Sequence, residues 1–227
     1  DGAPMPQANP TLREATDHLN FLAILAPPSL RHPFGTDDLG RDLFVRSMYG
    51  GRISLAVGFT AMLIAISLGS VIGAVAGFFG GIVDQILMRF TDLFLSLPGI
   101  PLILLTVYLF REPVIKAMGS PEAGIFVIVV TVIGGLAWMQ TARVVRASFL
   151  SLKQKEFVEA ATALGVGKWS IMFRHILPNA IGPIIVAATL EIGTAIITES
   201  TLSFLGVGFP ADTPTWGRLV TDGSQYL

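Results

Sequence analysis

Side chains that could perform catalysis are few and widely separated along this chain. Its three histidines, His18, His32 and His175, are too far apart in sequence to predict a zinc site or a proton relay. The absence of cysteine excludes a thiolate metal site, a cysteine nucleophile and a disulfide framework. We find no catalytic set of residues and predict that the chain is not an enzyme.

A concentration of carboxylates at Asp37, Asp38 and Asp42 raises the question of a calcium site. Calcium prefers hard oxygen ligands, but these residues do not follow the EF-hand spacing, and no glutamate completes the loop. We predict no metal site here. Instead, we expect Asp37 or Asp38 to cap an interfacial helix that carries Arg41 and Arg46.

A glycine-rich segment with a lysine, residues 165–170, faintly resembles a phosphate-binding loop. That pattern requires a glycine five residues before the Gly-Lys pair and a serine or threonine directly after the lysine. Thr162 and Trp169 occupy those two positions. The segment therefore does not predict a nucleotide site.

The composition predicts an integral membrane protein. Hydrophobic residues make up 52% of the 227 residues and charged residues only 14%, and the mean hydropathy is +0.68. A soluble domain usually has about 25% charged residues. Four apolar segments are candidates for spanning helices, the first about 39 Å long against a hydrocarbon core of ~30 Å. The predicted spans are residues 54–79, 93–110, 123–142 and 181–204.

Two features interrupt these spans. The second opens with Leu97-Pro98-Gly99-Ile100-Pro101, which predicts a bend or break near its start. The fourth contains Glu191, about 13 Å along the helix and near mid-membrane, and Glu199, about 26 Å along and near the outer interface. A carboxylate at mid-membrane normally faces the bundle interior or a water-filled path. We predict that Glu191 faces the bundle interior or such a path, and that Glu199 makes a structural hydrogen bond. Both residues are candidates for lining a pore or substrate path.

The positions of lysine and arginine predict the orientation. Residues 143–175 carry six of these residues, and positive charge concentrates on the cytoplasmic side. Residues 143–175 and 80–92 are then inside, and residues 111–122 are outside. Both flanks, 1–53 and 207–227, are predicted to be outside as well. One further span at each end of a longer protein would return both termini to the cytoplasm and give six spans.

Three glycines, Gly69, Gly73 and Gly77, share one face of the first span. Glycines at this spacing let another helix approach closely, so that van der Waals contact and lipid entropy drive association. The stripe predicts packing within the subunit, with a face toward a partner subunit or pore as the alternative.

The connection between the third and fourth spans has a helical pattern of its own. Residues 156–164 are good helix formers, and Gly165-Val166-Gly167 is a natural helix stop. A mixed apolar and basic pattern resumes at Lys168 and ends at Pro178. Two short helices with a glycine bend would form a compact knob, although an amphipathic connector on the lipid surface would have the same pattern.

This connection closely resembles the Glu-Ala-Ala loop of bacterial ABC importer permeases. The matching residues are Glu159, Ala160, Ala161, Gly165, Leu177 and Pro178. His175 stands where the family usually has isoleucine. Further segments resemble the C-type permease of dipeptide, oligopeptide and nickel importers: 32–42, 46–55, 80–92, 202–206 and 214–217. The resemblance covers about residue 32 to the end.

The resemblance implies an all-α, polytopic transmembrane helical bundle with the type I permease fold of ABC importers. It implies a channel-forming subunit for peptides in the bacterial inner membrane, with a homologous permease, two ATP-binding subunits and an extracytoplasmic solute-binding protein as partners. Membrane lipids surround the bundle, and no nucleic acid is involved. ATP and magnesium would be bound by the partner subunits, and no cofactor by this chain.

The same resemblance implies roles for the loop. The domain 54–206 would include a cytoplasmic coupling loop, 143–180, in which residues 160–170 form a helix that enters a cleft of the ATPase. Glu159 would supply a charge or hydrogen bond, and Gly165 the bend; Lys168 and Pro178 belong to the same loop. The outer segment 205–226 is a candidate contact for the solute-binding protein.

A gradient-driven secondary transporter or channel is the rival class, with Glu191 as its ion or proton site. It leaves the loop motif unexplained, and no inverted repeat of broken segments is visible in the sequence.

Overall fold

The computed structural model describes residues 24–210, 212–224 and 226. His18 and residues 1–23 of the predicted outer segment lie outside the described residues. Within the described part the chain is helical, apart from turns and one isolated bridge between Thr36 and Asp42. Its helices are α1 (Leu43–Phe79), α2 (Gly81–Leu95), α3 (Gly99–Met118), α4 (Pro121–Leu152), α5 (Glu156–Ala163), α6 (Lys168–Phe204) and α7 (Trp216–Ser224).

Three helices, α1, α4 and α6, are long and apolar enough to cross a membrane. They contain 37, 32 and 37 residues, so each exceeds the span that the sequence predicts. Apolar length marks only the part of a helix that lies in hydrocarbon, whereas the backbone hydrogen bonds continue into the polar regions on either side. Residues 143–152 are therefore the end of α4, not part of a loop.

The second predicted span is two helices. α2 and α3 together are long and apolar enough for one span, but they are bent by 82° at the break between them. The break contains Pro98, whose extended backbone (φ −68°, ψ 105°) places it just before α3. The predicted bend or break near the start of 93–110 is confirmed, because proline cannot continue the hydrogen-bond ladder of a helix.

The start of α1 also differs from the prediction. Asp42 is its N-cap, and the side chain accepts a hydrogen bond from Val45 N at 3.1 Å. The prediction that Asp37 or Asp38 caps the helix is therefore wrong. Local preference for an N-cap does not distinguish among neighbouring aspartates.

The closest helix packing joins α1 to α4 along the glycine stripe. A Cβ added to Gly69 would lie 2.6 Å from Trp138 O, and one added to Gly77 would lie 2.8 Å from Arg146 O. Gly73 faces Ala142 O in the same way. The stripe therefore brings two backbones into direct contact inside the subunit.

The helix α6 is different, because only 11% of its most apolar 18-residue stretch is buried within this chain, against 50% for that of α4. It contains a π-helical segment, Ile171–Ile176, after which Leu177 N donates to Met172 O. Pro178 lies in the first α-helical turn beyond that segment, where a missing N–H is tolerated. The helix therefore continues through Pro178, and the prediction that the pattern ends there is wrong.

Candidate functional site

The residues of the predicted coupling loop form a compact projection at one end of the bundle, which we call the knob (residues 153–170). Its helix α5 ends in a Schellman motif: Val166 N donates to Ala161 O and Gly165 N donates to Thr162 O, both at 3.0 Å. Gly165 has the positive φ of +77° that this motif requires. A single coupling helix over 160–170 is therefore wrong, because the chain reverses at Gly165.

One face of α5 fixes the knob to the bundle. Val158 and Ala161 are 5% and 6% exposed, and they pack in a cluster with Phe149 of α4 and with Ile171 and Ile176 of α6. This cluster sets the position of α5 relative to the ends of two long helices. Ala161 of the predicted coupling set therefore packs inside the protein and does not face outward.

The other predicted coupling residues lie on the surface. Glu159, Ala160, Gly165 and Lys168 are exposed on the knob. Glu159 lies in the first turn of α5, where a carboxylate favours the helix dipole. Pro178 is also exposed but lies on α6, beyond the π-helical segment. The structure thus brings four of these residues together on one projection.

Exposed apolar side chains on the knob were not predicted from the sequence. Leu164 is 83% exposed and Trp169 61% exposed. The Trp169 ring stacks on Phe173 with centroids 6.1 Å apart, and its edge contacts Phe79 at 5.8 Å. Exposed apolar groups clustered on a projection are typical of a protein interaction surface. The i, i+4 spacing of Trp169 and Phe173 in a basic segment is the sequence pattern that could have predicted this exposed aromatic pair.

Ion pairs fix α2 beside the same end of α4. Arg146 donates two hydrogen bonds to Asp84, one from Nε to Oδ1 and one from Nη2 to Oδ2 at 2.6 Å. Arg143 Nη2 lies 2.5 Å from Asp92 Oδ1, but both of these side chains are about half exposed. The bidentate pair is the stronger of the two, because its geometry is specific and it is less open to solvent.

At the other end of the bundle, Glu199 joins three helices. Its side chain is fully buried and accepts hydrogen bonds from Ser54 Oγ of α1 at 3.1 Å and from Ser203 Oγ at 2.7 Å. Trp216 N at the start of α7 donates to the same Ser54 Oγ at 3.2 Å. Hydrogen bonds between helices therefore hold Glu199 inside the bundle.

A cluster of charges lies near this junction. Arg46, 1% exposed, has Nη1 3.6 Å from Asp37 and Nη2 3.4 Å from Asp222. Arg41 pairs with Asp37 at 2.7 Å, and Arg218 pairs with Asp222 at 3.0 Å. Arg46 therefore belongs to the buried start of α1 and not to a separate interfacial helix. The cluster ties the segment before α1 to α7.

Glu191 has a different environment from Glu199, although both lie on α6. It borders a cavity of about 340 Å³ together with Gln140 of α4, Thr194, Thr198 and residues of the break between α2 and α3. Its Oε1 is buried and has no hydrogen-bond partner among the described residues. The structure therefore places Glu191 at a cavity.

Comparison with known proteins gives a consistent set of relatives. Residues 69–227 match the family model described as binding-protein-dependent transport system inner membrane component. The chain is 40% identical over 210 residues to an oligopeptide transport system permease protein of Bacillus subtilis, with 92% of this chain and 64% of that protein covered. It is 44% identical over 196 residues to an oligopeptide transport system permease protein of Haemophilus influenzae, with 86% of this chain and 59% of that protein covered. It is 40% identical over 203 residues to a dipeptide transport system permease protein of Alkalihalophilus pseudofirmus, with 89% of this chain and 63% of that protein covered. This chain thus spans about three fifths of the length of these relatives.

Proposed function

Because this chain belongs to the family of binding-protein-dependent transport system inner membrane components, we propose that it forms one half of the membrane pathway of an ATP-driven peptide importer. It pairs with a homologous permease in the bacterial inner membrane. Two ATP-binding subunits bind on the cytoplasmic side, and a solute-binding protein delivers peptide on the outer side. The chain performs no chemistry itself, and ATP and magnesium are bound by its partners.

The knob is the observation that carries this proposal. It is exposed, yet its buried face is packed against Phe149 near the end of α4 and against Ile171 and Ile176 at the start of α6. A force applied to the knob by an ATPase therefore reaches two membrane-spanning helices directly. A loop lying loosely on the lipid surface has no such buried anchor.

The surface of the knob has the chemistry of a docking element. Exposed Leu164 and Trp169 supply apolar area, and Glu159 and Lys168 add charges of both signs. Interfaces commonly combine an apolar or aromatic centre with a polar rim. We assign Leu164 and Trp169 to the centre of the ATPase contact, and Glu159 and Lys168 to its rim.

A gradient-driven transporter is the second candidate function, and one observation favours it. The buried Glu191 Oε1 without a partner, beside a cavity, is the arrangement expected of an ion or proton site in a membrane. That function requires neither the knob nor ATP. The two candidates therefore differ in whether transport stops when ATP is withheld.

The test is co-purification of the full-length protein with the products of its neighbouring genes. Wild type is compared with Glu159→Lys and with Glu112→Lys, which makes the same charge change at an exposed position of α3. We expect an ATPase subunit to accompany wild type and Glu112→Lys and to be lost with Glu159→Lys. A properly folded wild type that brings no ATPase and transports without ATP would reject the importer in favour of the carrier.

A further inference from the structure

We propose that Glu191 and the cavity beside it bind the positively charged α-ammonium group of a peptide as it passes through the membrane. The cavity has a volume of about 340 Å³, at the lower end of the range of about 300–1,000 Å³ found for ligand pockets. This inference rests on the proposed function, since it assigns a substrate group to one position on the pathway.

The first argument is the unused hydrogen-bonding capacity of Glu191. Its Oε1 is buried and has no hydrogen-bond partner among the described residues, whereas both carboxylate oxygens of Glu199, about two turns further along α6, accept hydrogen bonds. A buried acceptor without a partner is costly. The residues that line the cavity include no lysine, arginine or histidine. A positively charged group of the substrate would complement this carboxylate.

The neighbouring hydroxyl groups favour a donor as the ligand. Thr194 Oγ1 donates its hydrogen to Leu190 O at 3.2 Å, and Thr198 Oγ1 donates to Thr194 O at 2.8 Å. Each hydroxyl has thereby used its only hydrogen, and its oxygen lone pairs remain as acceptors. With Glu191 they present acceptors on one wall of the cavity, which suits an ammonium group with three N–H donors.

The broken helix supplies the third argument. Leu97 and Gly99, on either side of Pro98, both line the cavity. Non-helical backbone at membrane depth is tolerated only where protein buries it or where it borders a water-filled space. A water-filled cavity at the break would satisfy this condition and would let a hydrated ammonium group reach Glu191.

The 227 residues contain no cysteine, which permits a direct test once any cysteine elsewhere in the full-length protein has been replaced by serine. Thr194→Cys places one thiol at the cavity, and Thr189→Cys places one at an exposed position of α6 that does not line it. Both are made in the full-length protein within its complex. The rates of modification by 2-aminoethyl methanethiosulfonate, a cation, and 2-sulfonatoethyl methanethiosulfonate, an anion, are followed by the mass of this chain.

We expect the cationic reagent to modify the cavity thiol faster than the anionic reagent does. Glu191→Gln should reduce the ratio of the cationic to the anionic rate roughly tenfold. The ratio at the Thr189→Cys thiol should not change. Millimolar alanyl-alanine should slow modification at the cavity when Glu191 is present, and its N-acetylated form should not. These measurements need no solute-binding protein, so the specificity of that protein does not enter.

Two results would overturn the inference. A rate ratio that is indifferent to Glu191→Gln shows that the carboxylate does not attract cations in the cavity. Equal effects of free and N-acetylated dipeptide show that the ligand is not the α-ammonium group. ATP-dependent uptake by the wild-type complex is measured in parallel: its absence, with the charge effect and the peptide protection intact, rejects the importer but not the binding position.

Discussion

Ser54 of α1 donates a hydrogen bond to Glu199 of α6 over 3.1 Å, and both side chains are fully buried. The two residues are 145 positions apart in sequence. Since Ser54 also accepts from Trp216 N, one carboxylate and one hydroxyl connect α1, α6 and α7. A polar pair inside an apolar bundle thus fixes three helices at one end.

Replacing Glu199 should destabilise the protein without a direct effect on the Glu191 cavity. Glu199→Ala removes both acceptors and leaves two buried hydroxyls without their partner, so we expect a loss of about 2–4 kcal/mol. Glu199→Gln keeps one carbonyl acceptor and should cost about half as much. Thermal denaturation of the solubilised protein measures both, with the exposed Glu112→Ala as the control. Equal midpoints for all three variants would contradict this role.

The glycine stripe should tolerate no side chain where α1 meets α4. Gly69→Ala forces a methyl group to within 2.6 Å of Trp138 O, and overpacking of this kind costs about 1–3 kcal/mol. Gly135→Ala, on α4, meets nothing within 4 Å and is the matched control. We expect lower membrane abundance and a lower denaturation midpoint only for Gly69→Ala.

At Gly165 the backbone conformation, and not space, limits substitution. A Cβ there meets nothing within 4 Å, but φ is +77°. Gly165→Ala should therefore cost about 1–2 kcal/mol locally, while Gly165→Asn should cost less because asparagine adopts this region more readily. Gly167→Ala is the control, because Gly167 has φ of −62° and open space. Affinity for the ATPase subunit should follow the order Gly, Asn, Ala at position 165.

The two ion pairs between α2 and α4 should differ in strength. A double-mutant cycle on Asp84 and Arg146, whose side chains are 15% and 33% exposed, should give a coupling of about 1–2 kcal/mol. The cycle on Asp92 and Arg143, about half exposed, should give at most about 0.5 kcal/mol. Thermal denaturation at low and high salt measures both couplings, and equal values would contradict the comparison.

The features that the sequence predicts well are those encoded by neighbouring residues. Apolar runs predict the spanning helices, Pro98 predicts the break, and the pattern around Gly165 predicts the turn of the knob. Each depends on local backbone chemistry or on the length of an apolar segment.

The features that could not be predicted depend on tertiary structure. The helix over 160–170 suggested by the resemblance conflicts with the Gly165 turn. Only the packing of Val158 and Ala161 shows which face of α5 is buried. The extension of α4 over Arg143 and Arg146 could not be predicted, because hydropathy does not distinguish a charged end of a helix from a loop. The hydrogen bond between Ser54 and Glu199 could not be predicted from local sequence, because only the tertiary structure brings the two residues together.

The close contact of Gly69, Gly73 and Gly77 with the α4 backbone has a mechanical consequence. Packed helices accommodate conformational change by shear only if their side chains can shift between neighbouring positions. Here the glycines lie against backbone carbonyls of α4 and against the first side-chain atoms of Thr141, Val145 and Phe149, which leaves little room for such shifts. Sliding between α1 and α4 is therefore opposed, and we expect the two helices to move together while the rest of the subunit hinges around them.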